Sequence, residues 1–141
     1  MGDADIYIGL MSGTSIDSVD AVAACFSGGK INLLGSHSEA ISPQLRLDIL
    51  NLCQPGSDTV ALYAEIDNVL GELFAQTTLN LMRQLSITPA HVVAIGCHGQ
   101  TIRHQPPTET NGFSLQIGNP SLIAARTKCA VVADFRRADM A

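Results

Sequence analysis

Residues 13–20, Gly13, Thr14, Ser15, Ile16, Asp17, Ser18, Val19 and Asp20, place one glycine, three hydroxyls and two carboxylates within eight positions. Glycine lets backbone N–H groups approach a phosphate closely, and Thr and Ser hydroxyls donate to its oxygens. Asp17 or Asp20 could hold a hydrated Mg2+, which offsets the repulsion between carboxylate and phosphate. A polar hairpin loop explains the same composition about as well as a phosphate site does. The segment is not a P-loop, because no lysine follows and no helix begins there.

A second group of polar residues falls where strands end. His98 lies in Gly96-Cys97-His98-Gly99-Gln100-Thr101, and ligands of open α/β sheets sit at the carboxyl ends of strands. The plainer role for His98 is a hydrogen bond to a carbonyl within a turn. Cys97 and His98 are a poor nucleophile–base pair, since neighbours on a strand face opposite ways, so a cysteine hydrolase is excluded. Asn119 before Pro120 reads as a helix cap, although the helix start it caps would also offer N–H groups to a ligand. Arg136 or Arg137 could clamp a carboxylate or phosphate, against the plain reading of two solvated arginines. Glu65, Asp67 and Glu72 read as a solvated helix face, and Gly71 as a point of close packing. Cys25, Cys53 and Cys129 read as core, and His37, His91 and His104 have no evident partner.

The elements that must position these residues follow from period and punctuation. Residues 6–11, 21–26 and 31–34, the last extending towards Ile41, are strand-like runs separated by turns, which predicts a three-stranded antiparallel meander. Ser42-Pro43 is an N-cap and first-turn pair opening a short helix that Pro55-Gly56 ends. Leu62, Ile66, Val69, Leu70, Leu73, Thr77, Leu81 and Leu85 form one stripe, predicting a helix over 58–85. Residues 92–96 read as a strand covered on both faces, 99–112 as a loop with its exposed tip at 108–112, and 114–117 as a short strand. A helix over 120–128, a strand over 130–133 and a charged turn complete the series. The fold class expected is α/β, a mixed sheet with the meander and flanking helices.

The 141 residues, 46% hydrophobic and 15% charged, suit one domain with a real core and exclude intrinsic disorder. Thirteen acidic residues against eight basic give a net charge of -5, so wrapping of a nucleic-acid backbone is excluded. An anionic ligand then has to be held by backbone N–H groups, a metal ion or a few local cations. The acidic start, residues 1–5, differs from a secretory signal, and no apolar run reaches membrane-span length. Four dispersed cysteines predict thiols in a reducing cytosol. The chain stops after a strand and a charged turn, where an α/β fold normally continues, so it is expected to be the first half of something larger.

Residues 8–20, Ile-Gly-Leu-Met-Ser-Gly-Thr-Ser-Ile-Asp-Ser-Val-Asp, resemble the opening signature of the anhydro-N-acetylmuramic acid kinase family. Residues 94–101 (Ala-Ile-Gly-Cys-His-Gly-Gln-Thr), 115–120 (Leu-Gln-Ile-Gly-Asn-Pro) and 132–139 (Val-Ala-Asp-Phe-Arg-Arg-Ala-Asp) resemble later motifs of that family in the same order, so the likeness covers essentially the whole chain. Ser18 stands where the family usually has Gly, which limits φ > 0 at that position.

The resemblance implies a two-lobed, actin-like (ribonuclease H-like) sugar-kinase fold with ATP in the cleft, of which residues 1–141 form the N-terminal lobe and the C-terminal lobe is absent. It implies that residues 13–20 bind the ATP phosphates and that Asp17 and Asp20 orient magnesium-bound water. The reaction implied opens the 1,6-anhydro ring with water and transfers the γ-phosphoryl group to the released 6-oxygen, giving N-acetylmuramic acid 6-phosphate and ADP in cytoplasmic cell-wall recycling. By their position at strand ends, His98, Gln100, Asn119 and Arg136 are assigned to the sugar side. No catalytic residue is named within the chain, because the resemblance places the water-activating carboxylate beyond Ala141. The partners expected are ATP, Mg2+ and a small amino sugar, with no nucleic acid or membrane and a homodimer left open. The fragment alone is expected to be inactive. A non-catalytic phosphate- or nucleotide-binding module, or a kinase for another amino sugar, are the alternatives.

Overall fold

The computed structural model describes residues 5–108 and 111–141. Residues 1–4 of the acidic start and 109–110 of the expected loop tip lie outside the described residues. Three strands come first: β1 (Ile6–Ser12), β2 (Ser18–Ser27) and β3 (Lys30–Ala40), paired antiparallel as the expected meander. Helices α1 (Pro43–Cys53) and α2 (Val60–Gln84) follow, then β4 (Val92–Cys97), which pairs parallel to β1. After a hairpin of β5 (Gln100–Gln105) and β6 (Phe113–Ile117), helix α3 (Pro120–Thr127) leads to β7 (Val131–Ala133), parallel to β4, and to α4 (Phe135–Met140). The main sheet is mixed, with strand order β3-β2-β1-β4-β7.

Local chemistry sets the boundaries. Ser42 and Thr59 accept from the backbone N–H three residues on, at 3.2 Å each, and start α1 and α2. Asn119 does the same for α3 at 3.1 Å. Ile8, Leu10, Val19, Ala21 and Ile95 of the sheet meet Ile49 and Leu52 of α1 and Leu70, Phe74 and Leu81 of α2 in one core. The stripe on α2 is rotated slightly from the expected one: Phe74 and Thr78 face inward while Val69 is exposed. Thr77 and Thr78 return their hydroxyls to the carbonyls four residues back, which removes the cost of burying them.

Three sequence expectations are corrected. Residues 100–105 form a strand rather than a loop, because Gln100 and Ile102 are buried while Thr101 and Arg103 face the other way, a period of two that the nearby glycine and prolines obscured. Residues 135–140 form a short helix rather than a charged turn, held by i,i+3 pairs of Arg136 with Asp139 and of Arg137 with Asp134. Strand β4 is covered on one face only, since Met11, Val22, Phe26 and Val132 are exposed across the opposite face of the sheet. The close packing expected at Gly71 is present: a Cβ there would lie 3.1 Å from backbone and side-chain atoms of Asn119.

Candidate functional site

Strands β1, β4 and β7 run parallel and end at one edge of the sheet, and both candidate regions gather there. The β1–β2 turn, residues 13–17, is held from below. Ile16 is buried although its φ is +53°, a conformation costly for a β-branched residue, roughly 1–3 kcal/mol. Two contacts outside the turn fix it. Arg46 Nε donates to the Ser15 carbonyl at 3.2 Å, and the Ile41 N–H to the Asp17 carbonyl at 2.9 Å.

The rest of the turn faces outward. Gly13 is open, since a Cβ there would meet only Ser15 Oγ at 3.9 Å, and the exposed side chain of Thr14 has no hydrogen-bond partner among the described residues. Ser15 Oγ donates to Asp17 Oδ1 at 2.7 Å. That bond, with the N–H groups of Asp17 and Ser18, holds the Asp17 carboxyl below its usual range. Asp20 accepts from Ser38 Oγ at 2.7 Å and from Ser18 Oγ at 3.3 Å. Ser18 already belongs to β2, and the left-handed residue of the turn is Ile16, so serine at position 18 meets no backbone strain.

Beside this turn lies a cleft of about 230 Å³, bounded by Tyr63 and Asp67 of α2, His98 and Gly99 after β4, Gln116 of β6, Gly118 and Pro120 before and at the start of α3, and Asp134 and Arg137 around α4. The turn and the cleft are joined through Ser12, whose Oγ donates to Gln100 Oε1 at 2.6 Å and whose N–H donates to the Gly99 carbonyl at 3.4 Å. Gly99 has φ +72°, and a Cβ there would lie 2.5 Å from the Ile117 carbonyl oxygen, so only glycine suits this crossing.

The assigned sugar-side residues occupy different places. His98 lines the cleft, with Nδ1 3.1 Å from the Gly99 carbonyl oxygen and its ring 6.1 Å from that of Phe135. Gln100 is buried behind the wall, its amide used by Ser12 and the Thr101 carbonyl. Asn119 caps α3 and donates to Asn68 Oδ1 at 2.7 Å, while its neighbours Gly118 and Pro120 line the cleft. Arg136 lies 3.3 Å from Asp139, and it is Arg137 that reaches the cleft, paired with Asp134 at 2.7 Å.

Asp67 corrects the solvated-face reading of α2. Its Oδ1 accepts from the Gly118 N–H at 2.8 Å and its carbonyl from the Asn119 N–H at 3.1 Å. Glu72 is exposed but paired with Arg126, which lowers its pKa. Tyr63, Asp67, Gln116 and Asp134 escaped sequence reasoning because they come from three elements far apart in sequence, α2, β6 and the start of α4. Only the three-residue spacing of Asp134 and Arg137 was a visible signal.

His37 lies 2.9 Å from Glu39, and His91 Nδ1 accepts from the Thr88 N–H at 3.0 Å. Cys25, Cys97 and Cys129 are buried. Burial pushes the Cys97 thiol up to about 11, the opposite of what a nucleophile needs. Among the described residues, no group of three or more His, Cys, Asp or Glu side chains could hold a metal ion, and no helix is long and apolar enough to cross a membrane.

The sequence matches the family model described as anhydro-N-acetylmuramic acid kinase over residues 5–141. A protein of that name from Shewanella baltica (strain OS223) is 50% identical over 135 residues, covering 96% of this chain and 36% of the relative. One from Shewanella frigidimarina (strain NCIMB 400) is 48% identical over 141 residues, covering 100% of this chain and 38% of the relative. The chain therefore spans little more than a third of the length of these relatives. With the signature at the β1–β2 turn and the later motifs around the cleft, the chain belongs to the anhydro-N-acetylmuramic acid kinase family.

Proposed function

We propose that this chain is the N-terminal lobe of an actin-like sugar kinase that phosphorylates 1,6-anhydro-N-acetylmuramic acid with ATP in the cytoplasm. The observation that carries the reading is the junction at Ser12, which ends the strand before the open glycine turn and bonds Gln100 at 2.6 Å and the cleft-lining Gly99 carbonyl at 3.4 Å. A phosphate donor in the turn and a sugar in the cleft would then be neighbours. The sheet order, a meander followed by parallel β4 and β7, supports the actin-like assignment.

Phosphoryl transfer depends mainly on positioning and charge neutralisation. The open space over Gly13 and the outward hydroxyls of Thr14 and Ser15 fit phosphate oxygens. Asp17, held ionised by its hydrogen bonds, and Asp20 fit ligands that reach Mg2+ through water. Bound Mg2+ would neutralise phosphate charge. The buried Ile16 and the Arg46 contact keep the turn in place when a ligand arrives. On the sugar side His98 and Arg137 offer polar groups to the ligand, while Gln100 and Asn119 hold the walls that present them. Water would open the anhydro ring and the released 6-oxygen would take the γ-phosphoryl group, giving N-acetylmuramic acid 6-phosphate and ADP. The group that activates the water belongs to the remaining length of the relatives, so the 141 residues alone are inactive.

The test is ADP release and sugar phosphorylation, measured on this chain and on a form extended to the relatives' full length. Turnover by the extended form alone is the expected result. Turnover by the short chain would remove the need for a second lobe. Silence from both would leave a phosphate-binding module without catalysis.

A further inference from the structure

The cleft contains one carboxylate oxygen that the fold itself does not use. Asp134 is committed to Arg137, with Oδ1 accepting from Nε at 2.9 Å and Oδ2 from the guanidinium at 2.7 Å. Asp67 is different. Its Oδ1 takes the Gly118 N–H, but Oδ2 has no hydrogen-bond or ion-pair partner among the described residues, although Asp67 is half-buried and lines the cleft together with His98. Burial, and then the nearness of Asp67, raise the pKa of the Tyr63 phenol on the same wall.

From this geometry we infer that Asp67 has two roles: Oδ1 fixes the Gly118–Asn119 turn, and Oδ2 accepts a hydrogen bond from a neutral donor on the ligand, a hydroxyl or an amide N–H. This inference rests on the amino-sugar reading of the cleft and deepens it, because it turns a neutral donor of the sugar, and not its acidic substituent, towards α2. A carboxylate repels a phosphate or a carboxylate at that wall, so the acidic substituent of the ligand must point elsewhere. A carboxylate accepts more strongly than a carbonyl, which makes the contact selective for ligands carrying a donor at that place.

The test measures binding of 1,6-anhydro-N-acetylmuramic acid to the form extended to the relatives' full length by ligand-observed NMR, with a thermal melt of every variant. Asp67→Asn retains an acceptor for the Gly118 N–H and replaces the other oxygen with a donor. It should weaken binding roughly ten- to a hundredfold, with a melting temperature close to that of Asp48→Asn, an exposed carboxylate on α1 bonded to Gln44. Asp67→Ala should lower the melting temperature as well. A second arm needs no variant: the wild type is titrated with the 4-deoxy sugar and with the N-methylated acetamide. One of the two should lose a similar factor, which identifies the donor. Unchanged binding by Asp67→Asn, or full retention of both analogues by the wild type, overturns the inference and leaves Asp67 a structural clamp. A wild-type extended form that binds no sugar at all overturns the amino-sugar reading itself, and the inference falls with it.

Discussion

The β1–β2 turn and the turn that opens α3 both stand at the edge of the proposed site, and they are built in opposite ways. Residues 13–17 fold mainly on themselves: Ile16 N–H bonds the Gly13 carbonyl at 3.2 Å, and Ser15 bonds Asp17. Gly118 and Asn119 are instead clamped by α2, through Asp67 Oδ1, the Asp67 carbonyl, Asn68 Oδ1 and the bare backbone of Gly71. The clamped turn has its polar groups assigned before any ligand arrives. The self-folded turn leaves Gly13 and Thr14 open and is fixed only at its base. The proposed site uses both kinds, one wall of fixed shape for the neutral groups of the sugar and one open cradle whose donors await phosphate.

The same substitution made in both turns gives the largest contrast. Gly118 has φ +124°, and a Cβ there would lie 2.8 Å from the buried ring of Phe74. Gly118→Ala combines backbone strain with overpacking and should destabilise the chain by roughly 3 kcal/mol or more in urea unfolding. Gly13→Ala meets nothing nearer than Ser15 Oγ at 3.9 Å and lacks a positive φ, so its effect on the same measurement should be within about 0.5 kcal/mol. Equal losses at the two positions would break the comparison.

A smaller effect is expected where the turns are coupled. Ser12 and Gln100 are both 2% exposed, and the Ser12 hydroxyl is the donor to Gln100 Oε1. Ser12→Ala leaves that oxygen buried without a donor, at a cost of about 1–3 kcal/mol. Replacing Gln100 by Met in the same background should recover part of the loss, because the unpaired acceptor is then removed. A double-mutant cycle measures this coupling, and independent effects of the two changes would show that the turns are not joined through the pair.

How much was legible follows from which signals are local. The meander, α2 and the caps at Ser42 and Asn119 depend on neighbours within four residues, and the sequence expressed them clearly. Strand β5 was hidden because its pairing partner, β6, lies beyond a loop containing Pro106, Pro107 and Gly112. Asp67 looked like a solvated carboxylate because its partners are 51 residues away in sequence. The residues of 13–20 were identifiable by type and motif, yet the strain at Ile16 was not, since a β-branched side chain gives no hint of a left-handed backbone. Helix α4 was missed because its stabilising pairs, Arg136–Asp139 and Arg137–Asp134, read equally well as a charged turn.

The smallest effect concerns the charge that the open turn carries without a ligand. The Ser15 hydroxyl, then the N–H of Asp17 itself, lowers the Asp17 pKa in the folded chain, whereas the unfolded chain keeps the ordinary value of about 4. A depressed carboxyl contributes stability above its unfolded pKa and loses it as pH falls through the folded one. Asp17→Asn should therefore melt slightly below the wild type at neutral pH, with the gap closing as pH drops below about 4. Because the group is exposed, added salt should shrink the gap further. Ser15→Ala removes the first of the donors and should raise the Asp17 pKa, which carboxyl NMR titration reads directly. An unchanged titration in Ser15→Ala would mean that the turn is not held by its own hydrogen bonds, and the contrast with the clamped turn would lose its basis.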